Sequence, residues 1–206
     1  AQGSSDPGTY MRTIQAGLAC AHGGVNGTAS AGNTVMVKDG TYTSELSMWP
    51  SGTNWSAPFT LQAVNRGGVT INPTATGNWV LAFLYTSAVK YIVVDGFILD
   101  GDNRQGNIII MQGGAHHVRC DYCTLKNTDG DIWAGGNGLW LSNSTSSNHG
   151  SGSSVGVYAG DGDATVEHNT ITCASGSSFG IQIQYAASSN NIVRYNKISG
   201  CGDGGI

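Results

Sequence analysis

Residues Phe179–Gly200 read FGIQIQYAASSNNIVRYNKISG. Three short runs stand in this stretch: Ile181-Gln182-Ile183-Gln184, Asn191-Ile192-Val193-Arg194-Tyr195 and Lys197-Ile198-Ser199. Small or polar residues separate them. Within each run apolar and polar residues alternate, the period of a half-buried strand. None is long enough to build a core alone. Such a unit is stable when copies stack, each burying its apolar face on the next.

Copies stand upstream. The spacing of Val193, Asn196 and Ile198 recurs at Val94, Phe97 and Leu99, at Cys120, Cys123 and Leu125, and at Val166, Asn169 and Ile171. The first positions lie 26, 46 and 27 residues apart. The long middle interval reads as one repeat plus an insertion of about twenty residues. That insertion is placed at 142–162, where Ser, Gly and Asn surround the apolar piece Val155-Gly156-Val157-Tyr158. A preceding strand recurs at Trp79–Leu84, Asn107–Met111, Gly138–Leu141 and Gly180–Ile183. A period in the twenties with three strands per turn indicates a parallel β-solenoid. Leucine-rich repeats have a similar period, but their LxxLxLxxN consensus is absent.

The phrase NNIVRYNKIS, Asn190–Ser199, resembles the right-handed parallel β-helix of the pectin-lyase-like superfamily. The resemblance implies an inward Asn at the second turn that stacks coil upon coil. Asn169 and Asn196 match that position, and the earlier coils carry Cys123 and Phe97 there. The N-terminal phrase, Thr13–Ala21 followed by Ala31–Tyr42, resembles the opening segment of these proteins, and within them the family-six polysaccharide lyases most. The expected fold is all-β: one right-handed parallel β-helix over residues 1–206, with a flexible lead at 1–8, a capping helix at 9–22 and coils from 33 to 206. Thr9 is the expected helix cap, with Met11, Ile14, Leu18 and Ala21 on the buried face. That helix closes the open N-terminal end of the core.

Composition narrows the function. Charged residues make up only 11% of the chain while Gly numbers 32, which suits a secreted solenoid with wide polar faces and Gly-rich turns. The net charge is −4 and no basic run occurs, so nucleic acid is not an expected partner. No apolar stretch reaches the length of a membrane span. The chain starts at Ala1 without a leader and reads as processed or excised. Gly202–Ile206 repeats the lead into another strand, as Ser178–Ile181 does, so the C-terminal end is expected to be open and able to associate.

Five cysteines are an odd number. Cys173 and Cys201 follow the aligned Ile171 and Ile198 in adjacent coils, about one strand spacing apart, and are expected to form a disulfide. Cys20, Cys120 and Cys123 are expected to be reduced. Cys120 and Cys123 form a CxxC on inward positions, read as buried thiols or, alternatively, as a metal or redox pair.

The resemblance places a substrate groove along the outer face of the first-strand sheet. Lyases of this kind need a base for the proton alpha to a uronate carboxylate, and a cation or calcium to neutralise that carboxylate. With Val80, Ile108, Leu139 and Ile181 inward, the outer face carries Leu81, Phe83, Tyr85, Ile109, Met111, Trp140, Gln182 and Gln184, none charged. Phe83, Tyr85 and Trp140 with Gln182 and Gln184 form a candidate glycan strip, since sugar C–H faces lie on aromatic rings and amides bond hydroxyls. Arg104 is the loop residue left for a catalytic cation. Asp100, Asp102, Asp129 and Asp131 stand on Gly-rich turns of consecutive coils and are a candidate calcium site, or simply turn-formers. His116, His117, Arg119 and Asp121 read as a base–cation group or as solvated surface pairs. Glu167 and Arg194 hold the same offset in adjacent coils and are expected to pair.

Three functions remain: a secreted enzyme of the lyase type or a piece of one, a glycan-binding β-helix with weak or no lyase activity, and a structural solenoid that self-associates end to end. Polysaccharide is the expected partner in the first two, and calcium the one expected cofactor.

Overall fold

The computed structural model describes residues 11–21, 32–47, 49–75, 79–83, 89–150, 153–157, 162–174, 179–184, 190–202 and 204–206. It opens with α1 (Ile14–Ala21). The first pass of the chain lays down β1 (Thr34–Val37) and β2 (Gly40–Tyr42), and the second β3 (Phe59–Ala63), β4 (Val69–Ile71) and β5 (Trp79–Phe83). The third adds β6 (Lys90–Asp95), β7 (Phe97–Asp100) and β8 (Asn107–Met111); the fourth adds β9 (His116–Asp121), β10 (Thr124–Thr128) and β11 (Trp133–Ala134). The fifth is β12 (Trp140–Ser142), β13 (Thr145–His149) and β14 (Ser153–Val157), and the sixth β15 (Thr165–Glu167), β16 (Thr170–Thr172) and β17 (Phe179–Ile183). The last begins with β18 (Ile192–Arg194) and β19 (Lys197–Ser199).

Each of the five middle passes adds a strand to each of three sheets, and the first and last passes add one to the first two. The first sheet runs β1-β3-β6-β9-β12-β15-β18, the second β2-β4-β7-β10-β13-β16-β19 and the third β5-β8-β11-β14-β17. Their strands pair in parallel throughout, as in β6 with β9 and β10 with β13. The stack is the β-solenoid that the repeats imply. Like positions from successive passes form columns: Val35, Leu61, Val94, Cys120, Leu141, Val166 and Val193 in the first sheet. Alternation follows the sequence. Phe59, Leu61 and Ala63 are buried while Thr60 and Gln62 between them are half-buried.

The fifth pass corrects the expected insertion. Leu141 stands between Cys120 and Val166, and Ser146 between Leu125 and Ile171. The 46-residue interval is therefore two whole coils. Its apolar signature is lost because Ser144, Ser146 and His149 occupy buried positions. Ser144 Oγ donates to the Ser142 carbonyl at 2.7 Å, and Ser146 Oγ meets Ser154 Oγ at 2.6 Å. Buried hydroxyls that bond each other can replace an apolar layer.

The ladder at the second turn is longer than the two asparagines. Asn196 Oδ1 accepts from the backbone and side-chain N–H of Asn169, both at 3.0 Å. Asn169 Oδ1 accepts from Ser144 N at 2.9 Å, and Ser144 Oγ accepts from Cys123 N at 3.0 Å. Serine continues the ladder by one rung.

Two columns of left-handed backbone flank the first sheet. At its start stand Tyr91 (φ 53°), His117 (58°), Gly138 (68°), Asp163 (53°) and Asn190 (74°). At its end stand Gly96 (83°), Tyr122 (51°), Asn143 (50°), His168 (57°) and Tyr195 (56°). Each column turns the chain at the same corner in five successive passes.

α1 packs Ile14 and Leu18 into the core beside Val35. Its cap is Thr13, whose Oγ1 accepts from Ala16 N at 3.1 Å; Thr9, the expected cap, lies outside the described residues. Cys173 and Cys201 are disulfide-bonded, with Cα atoms 4.9 Å apart. Cys120 and Cys123 are also joined, Cα to Cα 6.2 Å, which corrects the expectation that they are reduced. The left-handed turn at Tyr122 between them brings both side chains inside. Cys20 is free. Gly204 bridges to Phe179, so the C-terminal residues, expected to lead into another strand, join the third sheet and continue the last pass. No helix among the described residues is long and apolar enough to cross a membrane.

Candidate functional site

Aromatic and imidazole rings gather on the outer face of the first sheet, at its starting edge. The loop 51–58 carries Trp55 there. Asn54 Oδ1 accepts from Ser56 N, Ser56 Oγ and Ala57 N at 2.9, 2.6 and 3.1 Å, which closes the loop tip. Gly52 N donates to the Lys90 carbonyl at 2.9 Å. A Cβ at Gly52 would come within 2.6 Å of Pro58 Cα and the Tyr91 carbonyl oxygen, so only glycine lets the loop lie this close to β6.

Trp55 remains exposed and meets three rings edge-on: Tyr91 at 5.5 Å, Trp140 at 5.6 Å and His117 at 6.1 Å. Tyr91 and His117 are neighbours in one left-handed column, with ring centroids 4.8 Å apart. His116 Nδ1 and His117 Nδ1 lie 2.5 Å apart, so one donates and the other accepts. Burial first, then the charges of His117 and Lys90, push the His116 imidazole below its ordinary value. It is therefore uncharged at neutral pH. The Arg119 guanidinium lies 4.4 Å over the Trp140 ring and donates to Asp121 Oδ2 at 2.6 Å. Asp121 Oδ1 also accepts from Ser142 Oγ and Asn143 Nδ2, both at 2.9 Å. Arg119 Nε and Trp140 Nε1 are buried and find no acceptor among the described residues. The patch can stack on apolar ring faces and offer N–H donors, with its one guanidinium already charge-paired.

Residues 84–206 match the family described as right handed beta helix region. The chain belongs to that family. The solenoid is thus a right-handed parallel β-helix. Among solved structures it is similar to the A-module of the Azotobacter vinelandii mannuronan C-5 epimerase AlgE6. The TM-score is 0.65 at 16% identity, over 93% of this chain and 52% of that one. It is also similar to a pectin methylesterase in complex with hexasaccharide VII, with TM-score 0.54 at 15% identity over 82% of this chain and 53% of that one. At these identities the likeness shows the fold alone, and the chain spans about half the length of each. No curated protein sequence matches the chain. The narrower link to family-six polysaccharide lyases finds no support in these matches.

The β-helix does not assemble the strip read from the sequence. Trp140 sits in the first sheet beside Arg119, because the supposed insertion is a coil and shifts its strand by one sheet. Phe83 belongs to the third sheet and is buried, stacked on Trp49 at 4.5 Å. Leu81, Ile109 and Met111, also expected outside, are core residues. Gln182 pairs with Gly156, one position away from the Leu81 row, and Gln184 follows it, half-exposed. Tyr85 lies outside the described residues. Arg104 is turned to Asp102 and to the Thr74 carbonyl at 3.3 Å, away from the ring patch.

The acidic turns do not form a calcium cage. Among the described residues no three His, Cys, Asp or Glu side chains converge as metal ligands. Burial works against ionisation of Asp100, but Asn127, the Asp102 N–H and Lys126 outweigh it and hold the carboxyl below its ordinary value. Asp102 is occupied by Arg104. These residues do not fit the ion, and no step runs through it. The expected Glu167–Arg194 pair is present, at 2.7 Å.

Sequence reading named His116, His117, Arg119 and Asp121 but missed Trp55 and Tyr91. A signal for Tyr91 existed, since it precedes Val94 by the three residues that separate His117 from Cys120. Trp55 sits in a loop, where periodicity says nothing.

Proposed function

We propose that the chain binds a linear, neutral or weakly acidic polysaccharide on the outer face of the first sheet, its sugar rings laid on Trp55, Tyr91 and Trp140. The observation that carries this is the convergence of these partly exposed rings with the N–H donors of His116, His117 and Arg119. Apolar faces ringed by a few placed polar groups suit a sugar, which has C–H faces and a hydroxyl rim. The names of the two similar structures, a mannuronan epimerase and a hexasaccharide-bound pectin methylesterase, fit the same class of ligand. Two disulfides fit a secreted protein. Strong uronate cleavage is not expected, because Arg119 is already neutralised by Asp121. Titrating partly esterified pectin into the wild type and Trp140→Ala tests the reading: a Trp140→Ala variant that binds as the wild type does would refute it.

One observation supports a second reading, a polysaccharide-modifying enzyme. His116 is an uncharged imidazole beside Lys90 and Tyr91, as a base for a proton alpha to a carboxylate would be. Unsaturated product from polygalacturonate that vanishes in His116→Gln would establish it.

A further inference from the structure

The corner column at the end of the first sheet carries side chains that folding does not ask for. Gly96 and Asn143 suit its left-handed backbone, since Gly and Asn adopt it readily. Tyr122 and Tyr195 do not, yet both hold the same conformation. Rings kept at strained corners point to a use outside folding. They are also displayed: Tyr122 is 43% and Tyr195 71% exposed. His168 and Tyr195 stack at 4.8 Å, one coil apart.

Cations rim these rings. The Arg66 guanidinium lies 3.4 Å over the Tyr122 ring centroid. It reaches there across Gly96, where a Cβ would strike Arg66 Cγ at 2.7 Å. The Arg194 guanidinium stands 5.7 Å from the Tyr195 ring. Each is paired with a carboxylate, but the pairs are tilted outward: Arg66 is 52% exposed over Asp95 at 14%, and Arg194 54% over Glu167 at 11%. The carboxylates take two guanidinium nitrogens each and Arg66 also bonds the Tyr122 side chain, but a guanidinium has five N–H donors and both side chains are more than half exposed, which leaves donors for a ligand.

We propose that this ridge is a second binding track, taking a linear polysaccharide that bears carboxylates and lies along the solenoid axis. Tyr122 and Tyr195 are three coils apart, about 14 Å at the usual strand spacing, so the rings line up parallel to the axis. Sugar faces stack on the sides of Tyr122, His168 and Tyr195 turned away from Arg66 and from the His168–Tyr195 stack, while uronate carboxylates accept from Arg66 and Arg194. The track does not rest on the ring patch at the opposite edge of the sheet. Single-stranded nucleic acid also stacks on rings, but a net charge of −4 with no basic run disfavours it.

Affinity electrophoresis of the full chain tests the track, in native gels containing polygalacturonate or its fully methyl-esterified form. The decisive variant is the double Tyr122→Asn, Tyr195→Asn. Asn143 already occupies the same corner, so the variant folds, with a melting temperature equal to or above the wild type. The expected result is retardation by polygalacturonate, weaker retardation by the ester, and about tenfold weaker binding in the double variant. Arg66→Gln is expected to weaken binding to polygalacturonate and not to the ester. A wild type that is not retarded, or a double variant retarded as strongly as the wild type, overturns the track. Equal retardation by the ester, or displacement of polygalacturonate by oligothymidylate at equal charge, overturns the ligand class. Trp55→Ala removes a ring of the opposite patch, so retardation by polygalacturonate that Trp55→Ala weakens and the double variant does not would belong to that patch and overturn the track.

Discussion

His116 and His117 meet through their Nδ1 atoms, so the two rings cannot both be protonated while the contact lasts. This agrees with a His116 value pushed down by burial, His117 and Lys90. The folded protein then binds fewer protons than the unfolded chain below about pH 6.5. Stability is expected to be full above that pH and to fall as pH drops through the lower folded value. Urea unfolding at several pH values reads the slope, and His116→Gln should flatten it. At the opposite corner Tyr195→Asn relieves a left-handed aromatic residue and should raise stability by about 1 kcal/mol. Pairwise contacts were legible wherever two residues held one offset in adjacent coils, as Glu167 and Arg194 do. The Cys120–Cys123 bond was not, because alternation alone does not reveal the left-handed residue that turns both sulfurs inward.

At the scale of the coil, the second-turn ladder ties four passes together. Asn169 accepts from Ser144 N and donates to the Leu141 carbonyl and to Asn196 Oδ1, at 2.9 to 3.0 Å. Asn169→Ala strands these buried partners and should cost about 2–4 kcal/mol, while Asn196→Ala, at the half-buried end, should cost less. Chemical denaturation compares them. The sequence showed the ladder where Asn or an apolar residue marked the turn. It hid the fifth coil, whose inner positions are serine and histidine. Missing that coil moved Trp140 to the wrong sheet and dissolved the candidate strip. The loop 51–58 makes a similar point. Gly52→Ala would push backbone against backbone and should cost about 1–3 kcal/mol. It should also lower glycan affinity by displacing Trp55, which binding and melting measurements on one sample would show.

Across the whole molecule, stacking made the fold readable, because a repeated unit has to satisfy the same constraints in every pass. The outer faces are under no such constraint. The two proposed sites lie at the corner columns: Tyr91 and His117 on one edge of the first sheet, and Tyr122, His168 and Tyr195 on the other. A polar row that includes Asp95, Asp121 and Glu167 runs between them, and the Asp121–Asn143 hydrogen bond links that row to the second edge. The most direct test of a polysaccharide site on this face is calorimetric titration of partly esterified pectin into the full chain, the Trp55→Ala chain and the Trp140→Ala chain. The account predicts binding by the wild type and at least about tenfold weaker binding by each variant at unchanged melting temperature. Equal affinity in all three proteins would contradict it.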